Sequence, residues 1–258
     1  MKRLVPVLVF VMMWPSEKVN GDIIKVTGDV LEKNTSEITS VRNGQLTGPN
    51  GKVFQERNDF LNLTSGIQMD VLTENLTTLS GQGDYLINSV ADVLDANGEL
   101  ATGEKYDIYF LHFDSTDNGE RVNYQGTVEF RHKIVGIGAL QNRAGRNTLA
   151  DTDDTLGNED IEYPIIDDFD RDFDLRNQNG SFENGADSFD NFRISEDLKV
   201  LTFDVRNFGK LDQLRIVVSA VPEPTGGAAV VAGLLVVAAA WRRRRANGKQ
   251  SITKKADE

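Results

Sequence analysis

Cysteine is absent from all 258 residues. Disulfides, thiolate metal sites and a cysteine nucleophile are therefore excluded. Histidine occurs only as His112 and His132, too few for a multi-histidine metal site. Tryptophan occurs only near the two ends, as Trp14 and Trp241. No Gly-x-Ser-x-Gly elbow is present, and no glycine-rich phosphate loop opens a helix. Basic charge is scarce in the middle of the chain. Residues 22–224 hold 18 Lys and Arg against 37 Asp and Glu, a net of −19. Such a body repels nucleic acid phosphates and anionic headgroups, which excludes nucleic acid as a partner.

Long apolar runs are confined to the two ends. Met1-Lys2-Arg3 precedes an apolar run from Leu4 to Met13. A short basic region before about ten apolar residues reads as a secretory signal peptide, placed at 1–21. It implies passage through the Sec export machinery. The other end begins with Val221-Pro222-Glu223-Pro224. Neither proline can donate to a strand ladder, so the preceding strand stops there. Residues 225–241 then run without a charge, and Arg242, Arg243, Arg244 and Arg245 follow at once. As a helix, 17 residues extend about 26 Å, the lower edge for crossing a bilayer. The arginine cluster stays on the cytoplasmic side, which places the body outside.

The three parts in this order resemble the PEP-CTERM sorting domain over residues 221–245. The resemblance implies a substrate of exosortase, a membrane transpeptidase-like enzyme of exopolysaccharide-making Gram-negative bacteria. It makes Pro222, Glu223 and Pro224 the processing motif, with the inner membrane a transient station before the cell surface or matrix. Tails of that family usually end within a few residues of the basic cluster; here a polar extension, 246–258, continues for thirteen residues.

The body, 22–220, reads as strands and turns. Asn-Gly pairs begin at Asn20, Asn43, Asn50, Asn97, Asn118, Asn179, Asn184 and Asn247. This dipeptide favours the positive φ values of tight hairpin turns. Between the turns, apolar residues alternate with period two. Thr127 to Ile134 reads as one strand with Val128, Phe130, His132 and Ile134 on one face. Lys199 to Val205 places Leu201, Phe203 and Val205 together, and Leu214 to Ser219 directs Leu214, Ile216 and Val218 inward. Tyr106 to Phe113 is apolar on both faces, as a central strand would be. Shorter strands are expected at Ile23 to Thr27, Lys52 to Gln55, Phe60 to Leu63, Ile67 to Leu72 and Phe192 to Ser195. One short helix is expected at Asn88 to Leu94. The expected fold is all-β, a β-sandwich or jelly roll, followed by a single C-terminal transmembrane helix. Val53-Phe54-Gln55-Glu56-Arg57, Tyr109 to Asp114, Gly126 to Phe130 and Ile134 to Ile137 resemble a cargo domain found ahead of such tails. That group implies a β-sandwich and no particular activity.

Chemistry is harder to locate. His112 and His132 lie among apolar residues and read as hydrogen-bonded core histidines. No catalytic residue is assigned. The acidic stretch from Asp151 to Asp174 holds eleven acids and one base, Arg171. It reads as a solvated loop, with weak Ca²⁺ binding through Asp151, Asp153, Asp154, Glu159 and Asp160 as the alternative. A true EF-hand is excluded, because Thr155 and Leu156 stand where a ligand and the turn glycine belong. The expected function is that of an exported structural or interaction protein of the cell surface or exopolysaccharide matrix. A secreted carbohydrate-binding module or carbohydrate-active enzyme is the alternative.

Overall fold

The computed structural model describes residues 23–76, 84–115, 122–141, 145–164, 190–207 and 211–220, with Arg171, Phe173 and Leu175. The expected signal peptide, Pro222 to Pro224, the span 225–241, Arg242 to Arg245 and most acids after Glu162 lie outside them. Among the described residues no helix is long and apolar enough to cross a membrane.

In chain order the strands are β1 Ile23–Gly28, β2 Val30–Glu32, β3 Gly51–Asn62, β4 Ile67–Met69, β5 Val71–Leu72, β6 Tyr85–Ile87, β7 Gly98–Leu100, β8 Lys105–Asp114, β9 Val122–Phe130, β10 Ile134–Gly138, β11 Asn191–Ile194, β12 Val200–Asn207 and β13 Leu211–Ser219. Helix α1, Val90–Ala96, lies between β6 and β7, and α2, Thr148–Leu156, follows β10. The protein is all-β. A first sheet has the order β1-β9-β12-β11-β6, and a second the order β2-β3-β8-β13-β10-β5. All pairings in them are antiparallel except β2 with β3.

The two sheets face each other across an apolar core. Val128, Phe130, Leu201, Phe203 and Val205 come from the first; Tyr109, Leu111, Phe113, Leu214, Ile216 and Val218 come from the second. Rings meet across the gap, with Phe113 and Phe203 5.0 Å apart and Tyr109 and Phe130 5.0 Å apart. Burying each such ring contributes about 1.5–3 kcal/mol. In β12 burial alternates residue by residue, as its period-two pattern requires.

The chain passes from one sheet to the other at β1–β2. Gly28 has φ +81 and pairs with Gly126 across the ladder. A Cβ on Gly126 would stand 2.4 Å from the Thr27 carbonyl oxygen, so glycine is required for the strands to meet there.

Four expectations change. The separate strands expected at Lys52 to Gln55 and Phe60 to Leu63 are one strand, β3 Gly51–Asn62. The strand expected over Thr127 to Ile134 is two strands in different sheets. β9 ends at Phe130, Arg131 to Lys133 form the crossing, and β10 starts at Ile134. His132 is thus half-buried in the crossing rather than part of a strand. The strand expected over Ile67 to Leu72 is broken at Asp70, whose backbone N–H still bonds to Ile137. The acidic stretch is not simply a solvated loop, because Asp151 to Leu156 belong to α2. The helix expected near Asn88 is present as α1. Its Ser89 side chain accepts from the Asp92 N–H at 3.2 Å, and the Asp92 carboxylate accepts from the Ser89 N–H at 3.0 Å.

Candidate functional site

The outer face of the second sheet is also buried, and charge is buried with it. On β13 alternation sends Leu214, Ile216 and Val218 to the inter-sheet core and Gln213, Arg215 and Val217 outward. Helix α2 covers that outward face. Its Leu149 packs with Phe54 and Phe110, and its Leu156 with Tyr106 and Ile108.

Arg215 is fully buried at the centre. Its Nε and Nη2 donate to the two carboxylate oxygens of Glu56, both at 2.8 Å. Nη2 also donates to Asp153 Oδ1 at 2.9 Å, and Nη1 to Thr152 Oγ1 at 2.6 Å. Its guanidinium lies 5.1 Å from the Phe110 ring centre and 5.3 Å from that of Tyr163. Glu56 sits where the β3–β8 register slips between Gln55 and Arg57. The second arginine, Arg171, is also fully buried and grips Asp153 with both terminal nitrogens, at 2.6 and 2.8 Å. Two arginines and two carboxylates thus neutralise one another, as buried charges must. Burial opposes the Arg215 charge, but the Glu56 and Asp153 carboxylates outweigh it and push its pKa up. Burial and the Glu56 carboxylate push the Tyr163 hydroxyl up as well, and that hydroxyl donates to Glu56 Oε1 at 2.5 Å.

Gln213 joins this network to His112. Its Oε1 accepts from Arg171 Nε at 2.5 Å, and its Nε2 donates to the Val41 carbonyl at 2.8 Å. The amide orientation is thereby set, and Nε2 faces His112 Nδ1 at 3.0 Å as a donor. Nδ1 accepts, so the imidazole proton sits on Nε2. That Nε2 has no hydrogen-bond partner among the described residues and lies 3.9 Å from Asp114 Oδ2. Burial, with the charges of Lys52 and Arg171, lowers the His112 pKa to about 3. The ring is neutral at pH 7.

Beside α2 lies a cavity of about 320 Å³. One face of the helix, Thr148, Asp151, Thr152 and Thr155, forms one wall; Gln68 and Arg146 contribute to the rest. Arg146 is fixed by Asp70, to which its Nε donates at 2.7 Å. Asp70 is fully buried and also accepts from the Thr148 hydroxyl and from the Ala139 and Leu140 N–H groups, all within 2.7–2.8 Å. The cavity therefore offers hydroxyls, amides and one held guanidinium. Asp151 is the single carboxylate among its described lining residues. It can hold a small polar molecule by hydrogen bonds; a glycosidase would require two carboxylates there.

The expected calcium ligands are dispersed. Asp153 is turned inward onto the two arginines, whereas Asp151, Asp154, Glu159 and Asp160 are exposed. Among the described residues no three His, Asp or Glu side chains gather as a metal site would require. His112 is a core histidine, as expected. The residues that sequence reasoning missed are Glu56, Asp70, Arg146 and Arg215. A lone charge within a strand pattern, as at Arg215 in Leu-Arg-Ile-Val-Val, was the available signal. Comparisons with known proteins returned no match: no family model, no curated protein and no solved structure resembles the chain at a significant level.

Proposed function

We propose that the chain is an exported interaction protein of the cell surface or extracellular matrix. Its tail holds it in the inner membrane until exosortase cuts near Pro222-Glu223-Pro224 and frees the body. The sequence of residues 221–245 carries this reading: a rigid Pro-Glu-Pro, an uncharged span and four arginines on the cytoplasmic side. A plain anchor has no use for the first of these parts. Replacing Glu223 by Ala leaves full-length protein in the membrane fraction of an exosortase-bearing host. Release of this variant at the wild-type rate would remove the sorting reading.

The cavity beside α2 favours a second reading for the body, a module that binds a small saccharide. Hydroxyls, amides and a fixed guanidinium are the groups that saccharide hydroxyls exchange hydrogen bonds with. Titration calorimetry with soluble oligosaccharides tests it. Binding that is lost in Asp151→Ala supports the module, and heat unchanged by that substitution rejects the cavity as the binding place.

A further inference from the structure

Three of the eight Asn-Gly pairs fall in described residues, at Asn43, Asn50 and Asn97. Their glycine N–H groups have different surroundings. That of Gly51 donates to the Asp29 carbonyl at 2.9 Å, beside the β2–β3 pairing. Gly98 lies in the β4–β7 ladder, and the Asn97 side chain is itself bound to the Leu94 carbonyl. The N–H of Gly44 instead donates to a carboxylate, Asp114 Oδ2, at 2.6 Å. Asn43 is exposed, whereas Asp114 is buried.

We propose that Asn43-Gly44 is a site of spontaneous deamidation in the folded protein, with the Asp114 carboxylate as the general base. Asp114 takes the Gly44 amide proton, and the nitrogen attacks Asn43 Cγ. A new C–N bond closes a five-membered succinimide. The Cγ–Nδ2 bond breaks, and ammonia leaves with the transferred proton. Water then opens the ring at one of its two carbonyls, giving aspartate or isoaspartate at position 43. One water enters, one ammonia departs, and nothing is oxidised or reduced.

The fold supplies what the step needs. Gly44 has φ +79, and no atom stands within 4 Å of where its Cβ would be, so the glycine is open on its side-chain side while its N–H is held on the Asp114 carboxylate. The flanks are held. The Gln45 N–H donates to the Arg42 carbonyl at 3.1 Å, Arg42 Nε donates to the Tyr163 carbonyl at 3.1 Å, and the Gly48 N–H donates to the Asp114 carbonyl at 3.1 Å. Burial raises the Asp114 pKa and makes it a stronger base than a surface carboxylate. The Asn43 side chain, in solvent, is left to rotate into place, and water reaches the product ring. Isoaspartate lengthens the main chain by one methylene and adds a charge, which loosens the Gly44 contact with Asp114.

The test incubates the full-length chain in detergent at neutral pH and follows each Asn-Gly peptide by mass spectrometry. A parallel sample is held unfolded in urea. In the folded chain Asn43 converts roughly tenfold faster than Asn50 or Asn97, conservative for a positioned base. In urea the three converge. Asp114→Asn, which keeps an acceptor for the Gly44 N–H but removes its basicity, returns Asn43 to the rate of the other two. If that variant does not fold, the folded-against-unfolded comparison of the wild type decides alone. An Asn43 that converts more slowly folded than unfolded overturns the proposal, because the hydrogen bond would then protect the amide. A folded Asp114→Asn variant with an undiminished rate overturns it as well.

Discussion

The second sheet is buried on both faces, and the two burials differ in kind. Toward the first sheet, Phe113, Leu214 and Ile216 meet Phe130, Leu201 and Phe203 without a charge. Toward α2, the same sheet buries Glu56, Gln213 and Arg215 beside Phe54 and Phe110. The inner face gains stability from area, which is non-directional. The outer face depends on a few directional contacts, each of which must be satisfied. Shape tolerance should therefore be high inside and low outside.

Arg215→Ala makes the largest break. It leaves Glu56 without its bidentate partner and should cost about 3–5 kcal/mol. Hydrogen exchange should show α2 opening while β9 and β12 stay protected. Loss of protection spread evenly over both sheets would show that the two layers are one cooperative unit. Leu201→Ala comes next, on the inner face. It should cost about 3 kcal/mol in denaturant melts, through lost transfer energy and the cavity left behind. It should not single out α2 in exchange.

Acid sharpens the contrast. His112 has a pKa of about 3 in the fold, against a reference near 6.5. Between these values the unfolded chain binds more protons, so stability falls as pH falls through that window. From pH 7 to pH 5 this amounts to about 2 kcal/mol. Asp114, whose pKa burial raises, acts in the opposite sense: it favours the fold below its own range and loses that contribution as pH rises. His112→Asn should remove the His112 part of this slope, read as a smaller loss of stability between pH 7 and pH 5 in melts at the two values. The smallest effect is expected where neither layer is touched. Lys33 and Glu37 form an exposed pair at 3.8 Å. Lys33→Ala should change stability by less than about 0.5 kcal/mol, and added salt should hide even that.

The inner layer could be seen in the sequence because its signal is local. Leu201, Phe203 and Val205 share a face whatever else the chain does. The same rule failed at Thr127 to Ile134, where the alternation runs unbroken through the crossing between sheets. His132 fits the pattern, yet the chain has left the ladder by then. The outer layer was nearly invisible. Glu56 and Arg215 are 159 positions apart, Arg171 and Gln213 are 42 apart, and no spacing rule connects them. Read along the chain, Asp153 is one acid among eleven and suggests calcium. In the fold, Arg171 and Arg215 already neutralise it.

The sequence alone determined the all-β class of the body, and the address proposed for the chain rests on the sequence alone. Strand alternation acts over a few residues. The Asn-Gly pairs are poorer guides: among the described ones only Gly44 has positive φ, whereas Gly51 and Gly98 open β3 and β7 instead of turning a hairpin. The signal peptide and Pro-Glu-Pro tail proposed for the two ends are likewise local patterns. Only tertiary structure decided which charges are buried together, which nitrogen of His112 carries its proton, and which of three identical Asn-Gly pairs stands against a carboxylate. Those outcomes depend on distances between strands remote in sequence, and electrostatic energy in a dry interior changes steeply over a few ångströms.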